Sequence, residues 1–258
     1  MGASFVRRNF LASTALTSST TLIAGVAWAA DLPTKAPPLQ AVPPFSWSGC
    51  YVGANAGGGS VSIDQRVTTA APALPVRTFD SSGRETSFIG GGQLGCNWQF
   101  DPRWVAGLEG DINYIHASRG QSFRIGGEDT VQQTRLRWLA TVRARFGYAW
   151  GPSYLYATGG LALGDVKSSV TVTSVQNPAH ITYSGSSSST RTGWTVGAGF
   201  EHAFTNRLSL KLEYLHFDLG TADYGVPRVD LQVAAPWTAS AKVNGDIVRA
   251  GFNYRFIP

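Results

Sequence analysis

Two carboxylates, Glu109 and Asp111, stand two residues apart, and two arginines, Arg143 and Arg145, share that spacing further along the chain. Paired carboxylates are the groups that general acid–base catalysis uses, so the pattern first raises the question of an enzyme. Side chains two residues apart also point to the same face of a β-strand. If these segments are neighbouring antiparallel strands, the carboxylates face the arginines and form ion pairs instead.

The other residue types with chemical potential do not form a catalytic constellation. The 4 histidines lack the spacing of a metal site; they are His116, His180, His202 and His216. The glycine runs at 57–59 and 90–92 lack the Lys-Ser/Thr of a phosphate-binding loop, and we interpret them as strand glycines that ease curvature and close packing. We therefore predict that the chain is not an enzyme and has no catalytic residues, cofactor or metal.

The segment RWLATVRARFGYAW (137–150) shows the element that must position these charges. A helical period of 3.6 would place Arg145 in its apolar stripe, whereas a period of two separates the residue types. One face is then apolar and comprises Leu136, Trp138, Ala140, Val142, Ala144, Phe146 and Tyr148. The other face comprises Arg135, Arg137, Leu139, Thr141, Arg143, Arg145 and Gly147. We predict a strand, and its charged face does not suit an ordinary dry core.

The composition narrows the class of protein. Charged residues make up 14% of the chain, against about 25% in soluble domains, and aromatic residues 12%. The body of the chain has no apolar run of about 20 residues, which excludes a helical membrane protein. A transmembrane β-barrel hides its apolar residues by alternation, and its mean hydropathy stays near zero, as the value of −0.05 does here.

The N-terminus has the pattern of an export signal. Arg7 and Arg8 precede an apolar stretch and a small-x-small site at 27–29, so we predict a Sec signal peptide at 1–29, cleaved after Ala29 or Ala30. Its removal takes away two arginines and no acid, which lowers the net charge from +5 to +3. This weak excess does not indicate nucleic-acid binding. A Pro-rich periplasmic tail at 30–46 and an outer-membrane barrel at 47–258 are expected to follow.

Eight segments of about ten residues alternate in this manner. They are 48–57, 88–100, 103–114, 137–150, 154–164, 193–204, 207–217 and 247–256. Short turns join some of them at 101–102, 151–152 and 205–206, and long polar segments join the others at 61–87, 115–134, 165–192 and 218–246. This arrangement predicts an all-β fold: an eight-stranded antiparallel transmembrane β-barrel with short periplasmic turns and long extracellular loops.

The predicted interior is polar. A soluble sandwich or lipocalin-like barrel is the alternative, but it would have an apolar interior and no aromatic girdles on its outer face. Eight strands enclose little more than their own side chains, so we interpret the inward charges as an ion-pair network that replaces an apolar core. Its predicted members are Glu109, Asp111, Arg143, Arg145, Glu201, Lys211, Glu213, Arg249 and Arg255. A narrow path for water or ions is the competing interpretation.

Cys50 and Cys96 fall near the periplasmic end of the first two strands, on the same outward face. In an oxidising compartment this placement makes a cross-strand disulfide a hypothesis, which requires Cα atoms within about 7 Å. The alternative is two isolated small apolar residues.

The order of the strand sequences then indicates a family. FSWSGCYVGANAGGG, GGGQLGCNWQF, WVAGLEGDINY, WLATVRARFGYAW, YLYATGGLALG, GWTVGAGFEHAF, LKLEYLHFDLG and IVRAGFNYRF together resemble the small outer-membrane β-barrel surface antigens of alphaproteobacteria, akin to opacity proteins and OmpA-type barrels. Members often carry the label porin. This chain departs from them in having Cys50 and Cys96 where aromatic residues are usual, and in Ile257-Pro258 after the aromatic insertion signal Phe252, Tyr254 and Phe256.

The resemblance implies an envelope protein of the Gram-negative outer membrane. Its expected partners are outer-membrane lipid and the barrel-insertion machinery; an extracellular ligand and a homo-oligomer are left open. We predict a structural or surface-interaction role. The alternatives are a porin that passes small solutes and an adhesin that acts through its long loops.

Overall fold

The computed structural model describes residues 45–69, 78–125, 128–174, 182–225 and 237–256. The predicted signal peptide and almost all of the Pro-rich segment lie outside these residues, as does Ile257-Pro258. Within the described ranges, no helix is long and apolar enough to cross a membrane.

Eight antiparallel strands pair in chain order, and β1 also pairs with β8 to close a ring. The strands are β1 (Gly49–Thr69), β2 (Thr78–Gln99), β3 (Trp104–Ile125), β4 (Glu128–Trp150), β5 (Ser153–Ser174), β6 (Thr182–Ala203), β7 (Leu208–Gly225) and β8 (Trp237–Arg255). The eight-stranded antiparallel ring is confirmed, and short connections join β2 to β3, β4 to β5 and β6 to β7. These turns lie at the same end as Gly49 and Arg255, and we call it the turn end and the opposite one the open end.

The strands are about twice as long as the sequence suggested. They have between 18 and 23 residues and continue through most of the segments that were predicted to be long loops, so those loop boundaries are wrong. The sequence pattern did not reveal the additional strand residues, because polar and small residues occupy both faces of the strands there. The segment 184–190 of β6, with the sequence SGSSSST, shows no apolar alternation although it is fully extended.

The ring is closed only in the half near the turn end. The β2–β3 ladder stops at Ile89–Ile115, and the β6–β7 ladder stops at Trp194–Asp218. Beyond these points the described residues form two four-stranded sheets, β7-β8-β1-β2 and β3-β4-β5-β6. We call this part the split half and the rest the closed half.

Three irregularities mark the boundary between the halves. The strand register shifts between Tyr114 and Ala117 in β3, between Leu136 and Leu139 in β4, and between Asp218 and Thr221 in β7. A β-bulge adds a residue to one strand, bends it and increases its twist. Gly220 supplies the backbone for the third bulge, since its φ of 70° lies in the left-handed region that favours glycine. The bulges therefore turn β3 and β7 away from their neighbours.

The bulge in β4 also corrects the predicted faces of its first half. Leu136 was expected to point outward, and Arg135 and Arg137 inward. In the structure Leu136 is buried inside and both arginines are exposed. The predicted alternation assumed an uninterrupted period of two, whereas the extra residue between Leu136 and Leu139 reverses the phase of everything before it.

The hydrophobic pattern of β1 reverses between the two halves. In the closed half of β1, Val52 points outward while Tyr51 and Asn55 are buried inside. In its split half, Ile63 is buried inside and Asp64 is exposed. The closed half is apolar outside, as a membrane barrel is. The split half has mostly polar outward residues, and its interior combines apolar layers with buried polar side chains such as Gln65 and Thr134.

The glycine runs lie in β1 and β2, as predicted. A Cβ atom on Gly57 would stand 2.1 Å from the carbonyl oxygen of Val248, and one on Gly91 would stand 2.0 Å from that of Ile112. These glycines thus permit the close backbone approach that the curved wall requires.

Candidate functional site

The interior of the closed half is the candidate functional site, because it decides whether the barrel can pass solute. Four carboxylates and four cations project into it, all of them at most 7% exposed: Glu109, Asp111, Glu201, Glu213, Arg143, Arg145, Lys211 and Arg249. They come from β3, β4, β6, β7 and β8, at inward positions of strands whose outward neighbours are apolar. The four negative and four positive charges of this cluster balance.

Arg143 lies at the centre of this cluster. The strand register places it opposite Glu109, and its Nη2 donates to Glu109 Oε1 at 2.6 Å and to Asp111 Oδ2 at 2.8 Å. Its Nη1 crosses the interior to Glu213 Oε1 at 3.0 Å. One guanidinium thus joins two neighbouring carboxylates of β3 to one on the opposite wall, which the planar fork of arginine suits.

The other three cations complete the network. Arg249 donates to Asp111 at 3.0 Å and to Glu213 at 2.6 Å. Lys211 Nζ donates to both oxygens of Glu109, at 2.7 and 2.8 Å. Arg145 Nη2 donates to Glu201 Oε2 at 2.8 Å. Every carboxylate therefore meets at least one cation, as a charge taken out of water requires.

Neutral side chains that the sequence analysis did not assign to the network satisfy its remaining oxygens. The Tyr51 hydroxyl donates to Glu109 at 2.6 Å, and the Tyr156 hydroxyl donates to Glu213 at 3.0 Å. Arg145 stacks over the Tyr156 ring, 3.8 Å from its centroid. Both tyrosines occupy inward positions in the predicted alternation, and that phase, rather than their residue type, is the signal that could have found them.

Arg255 is separate from this network in the structure. Its guanidinium lies 4.8 Å from the Trp47 ring and donates to the Ser46 carbonyl oxygen at 2.7 Å. Trp47 is fully buried, and its indole Nε1 donates to the Gly151 carbonyl oxygen at 3.2 Å. Together they close the turn end. Arg255 was predicted to join the ion pairs because the strand pattern does not show that the residues before β1 fold into the mouth.

An apolar layer closes the interior on the other side of the ion pairs. Its buried residues come from every strand except β6, and the largest are Phe217, Leu136, Leu139, Ile63, Ile89 and Ile115. A second apolar layer of Val67, Val170, Val172 and Ala239 lies nearer the open end. The predicted interior contained only the ion-pair network, although the reversed alternation of segments such as 60–64 indicates these apolar layers.

The structure places the two cysteines in register on β1 and β2. Their Sγ atoms are 2.04 Å apart and their Cα atoms 3.9 Å apart, with both side chains on the outer face near the turn end. The residues of the expected insertion signal also point outward, with exposures of 63% for Phe252, 43% for Tyr254 and 51% for Phe256. Within the described residues, no group of three or more His, Cys, Asp or Glu side chains could hold a metal.

The outer face of the closed half forms an apolar belt. Exposed apolar residues occur on every strand, among them Val52, Leu94, Leu108, Val142, Leu161, Val196, Leu212 and Phe252. On β3 the belt extends from Trp104 to Tyr114. At about 3.3 Å per residue and a tilt of about 40°, that is about 25 Å, the height of the lipid-facing band of outer-membrane barrels.

Outward-facing cations of the split half are mostly paired. Arg66 donates to Asp80 at 2.6 Å, and this hydrogen bond holds the pKa of the Asp80 carboxyl below its usual value. Arg124 likewise donates to Asp129 at 2.6 Å and lowers the pKa of that carboxyl. These side chains are largely exposed to solvent, so their ion pairs add little stability.

A ring of eight antiparallel strands, an apolar outer belt and a polar interior define an outer-membrane β-barrel. Residues 35–256 match the family of the outer membrane protein beta-barrel domain, and the chain belongs to this family. The protein is therefore located in the outer membrane. The chain is 34% identical over 258 residues to the 31 kDa outer-membrane immunogenic protein of Brucella melitensis biotype 1. The matched region covers 95% of this chain and 99% of that protein.

Two further known proteins illustrate the range of similarity. The 22 kDa outer membrane protein of Rhizobium leguminosarum bv. viciae is 32% identical over 182 residues, or 70% of this chain and 69% of that protein. Among solved structures, the outer membrane protein OprG of Pseudomonas aeruginosa matches 82% of this chain and 97% of its own with a TM-score of 0.47 and 10% identity.

Proposed function

We propose that the protein is a closed outer-membrane barrel that acts as a structural and surface-interaction protein and does not pass solute. One observation carries the proposal: three successive layers block the interior. Trp47 and Arg255 fill the mouth at the turn end, the balanced ion pairs fill the middle, and an apolar layer around Phe217 fills the region above. A hydrated path would need a continuous polar lining, which the apolar layer interrupts.

The open end is the part of the protein that would make the surface interactions. We propose that the turn end faces the periplasm and that the split half projects beyond the lipid, since its outward side chains are polar and its core is internal. The name of the Brucella relative describes an immunogenic protein, and this agrees with a part that is accessible from outside. An adhesin would bind through the same end, but through outward strand residues more than through long loops.

Conductance of the folded barrel in a planar bilayer tests the proposal. We expect no steady channels from refolded protein whose folded state is verified by heat-modifiable migration in gels. A matched control truncates one side chain in each layer, Trp47→Ala, Arg143→Ala and Phe217→Ala, and should conduct if it folds. Steady channels from the unmodified barrel would instead establish a porin.

A further inference from the structure

Two cations on the outer wall of the split half face each other without a carboxylate partner. Arg135 of β4 and Lys167 of β5 are directly paired in the strand register, and both are exposed on the outer face. Like charges in directly opposite positions of a sheet repel. Among the described residues, no carboxylate lies within ion-pair distance of either side chain, although Arg66, Arg124, Arg137 and Lys242 each have one.

The surroundings of this pair suit an anion with a polar body. A shallow surface groove of about 330 Å³ runs along β4, β5 and β6, and Arg135 and Lys167 lie on its wall. Its other outward lining residues are neutral hydrogen-bonding side chains: Gln133, Ser169, Ser186 and Ser188. Cations supply the charge that a phosphate requires, and the hydroxyls and the amide can bind the sugar or glycerol oxygens around it.

The height of the pair relative to the apolar belt indicates where such an anion comes from. Leu163 is the last apolar outward residue of β5, and Lys167 follows it by four positions. At about 3.3 Å per residue and a tilt of about 40°, this places Lys167 about 10 Å beyond the belt. The long side chain spans part of that distance, and the polar layer of a leaflet extends about 5–7 Å beyond its hydrocarbon.

We propose that Arg135 and Lys167 form a binding site for the phosphorylated head group of an anionic lipid in the leaflet at the open end. The phosphate bridges the two cations, which removes their mutual repulsion, and the acyl chains lie against the apolar belt below, beside Trp138 and Leu161. Such binding does not depend on whether the interior conducts.

Native mass spectrometry of the refolded barrel in neutral detergent tests this, with diphosphorylated lipid A as the probe. The variant Arg135→Gln/Lys167→Gln should bind about 30-fold more weakly, because each basic side chain near a lipid surface contributes about 1 kcal/mol, or about fivefold. The matched control Arg66→Gln/Arg124→Gln, which removes two outward cations that are already paired, should bind within twofold of the unmodified protein, about the uncertainty of such a comparison.

Three further measurements distinguish lipid binding from binding of free phosphate and from a loss of stability. Inorganic phosphate in large excess should not displace the lipid, and dephosphorylated lipid should bind as weakly as the double variant does. In neutral detergent without lipid, the variant should be at least as stable as the parent, since a repulsive pair has been removed. Equal lipid binding by variant and parent, an equal loss in the control, or displacement by phosphate alone would overturn the proposal.

Discussion

Arg143 holds three carboxylates that come from opposite walls of the barrel, so its loss cannot be compensated by one neighbour. Burying an ion pair adds little stability compared with an apolar pair of the same shape, yet removing one partner leaves a charge in a region that water cannot reach. Replacing a single member of the network therefore destabilises the barrel, whereas replacing a cation together with a carboxylate partner leaves fewer unpaired charges.

Replacing Arg143 with Ala should lower the free energy of unfolding by about 3–5 kcal/mol, because three buried carboxylates lose a donor. Urea unfolding of the lipid-embedded barrel, followed by tryptophan fluorescence, measures this. Arg137→Ala on the same strand is the control. Its side chain is 54% exposed, and the change should be within about 0.5 kcal/mol.

A charge-balanced double variant separates charge from packing. Arg143→Met together with Glu213→Gln removes one cation and one carboxylate, so it should lose less stability than Arg143→Ala alone. If Arg143→Ala unfolds at the same urea concentration as the parent, the buried network does not stabilise the barrel.

The members of this network could be predicted because a strand has a period of two, and a charged residue in that phase points inward. Glu109, Asp111 and Arg143 were found in this way, and the structure brings them together. Arg255 was assigned to the same set but lies against Trp47, since phase gives the face of a strand and not the height or the partner. Trp47 precedes the first strand, where no periodicity acts.

At the scale of the elements, the bulge in β4 determines which face of the sheet each side chain in the first half of that strand points to. The extra residue between Leu136 and Leu139 is what lets Leu136 point into the apolar layer and Arg135 point outward. Deleting Arg137 removes the residue that is extra relative to β5 and keeps every other residue of β4 on its present face, while Ile115 and His116 of β3 must then bulge out opposite no residue of β4. Deleting Ala140, three positions later in regular strand, moves one flank of β4 to the wrong face.

We therefore expect the Arg137 deletion to leave a substantial folded population and the Ala140 deletion to abolish folding. The folded fraction can be read from heat-modifiable migration after refolding into lipid vesicles. Equal folding of the two deletions would show that the bulge does not set the phase of β4.

Strand number and turns were predictable because apolar alternation in the closed half is regular and Pro, Gly and Asn occupy the turns. Strand length was not, because the outward face of the split half is polar and its inward residues alternate with other small polar residues. Bulges were not predictable either: a bulge at 136–139 and an unbroken strand fit the same sequence of residue types, and only the packing of the apolar layer distinguishes them.

At the scale of the whole molecule, the two halves depend on different solvents. The closed half has apolar residues on its outer face and is stabilised when lipid covers them. The split half buries its apolar residues between two sheets and is stabilised because they are removed from water. The ladders β2–β3 and β6–β7 are continuous in the first half and end in the second. We expect a corresponding gradient in local stability.

Hydrogen exchange of the lipid-embedded protein measures this gradient. Amides in 79–88 and 116–125, which border the seam between β2 and β3, should exchange faster than those in 90–99 and 105–114 of the same two strands. Each comparison is thus made between two segments of the same strand. Uniform protection along β2 and β3 would contradict the division into a closed and a split half.

The outward face of β6 in the split half has a consequence for how the protein changes over evolutionary time. Ser184 and Thr190 are exposed and lie outside the groove beside Arg135 and Lys167, so substitutions at these two positions alter neither the sandwich core nor the ion pairs. The fold alone therefore constrains Ser184 and Thr190 only weakly. Drift should accumulate on this face while the interior of the same strand, where Thr195 and Glu201 are buried, stays fixed.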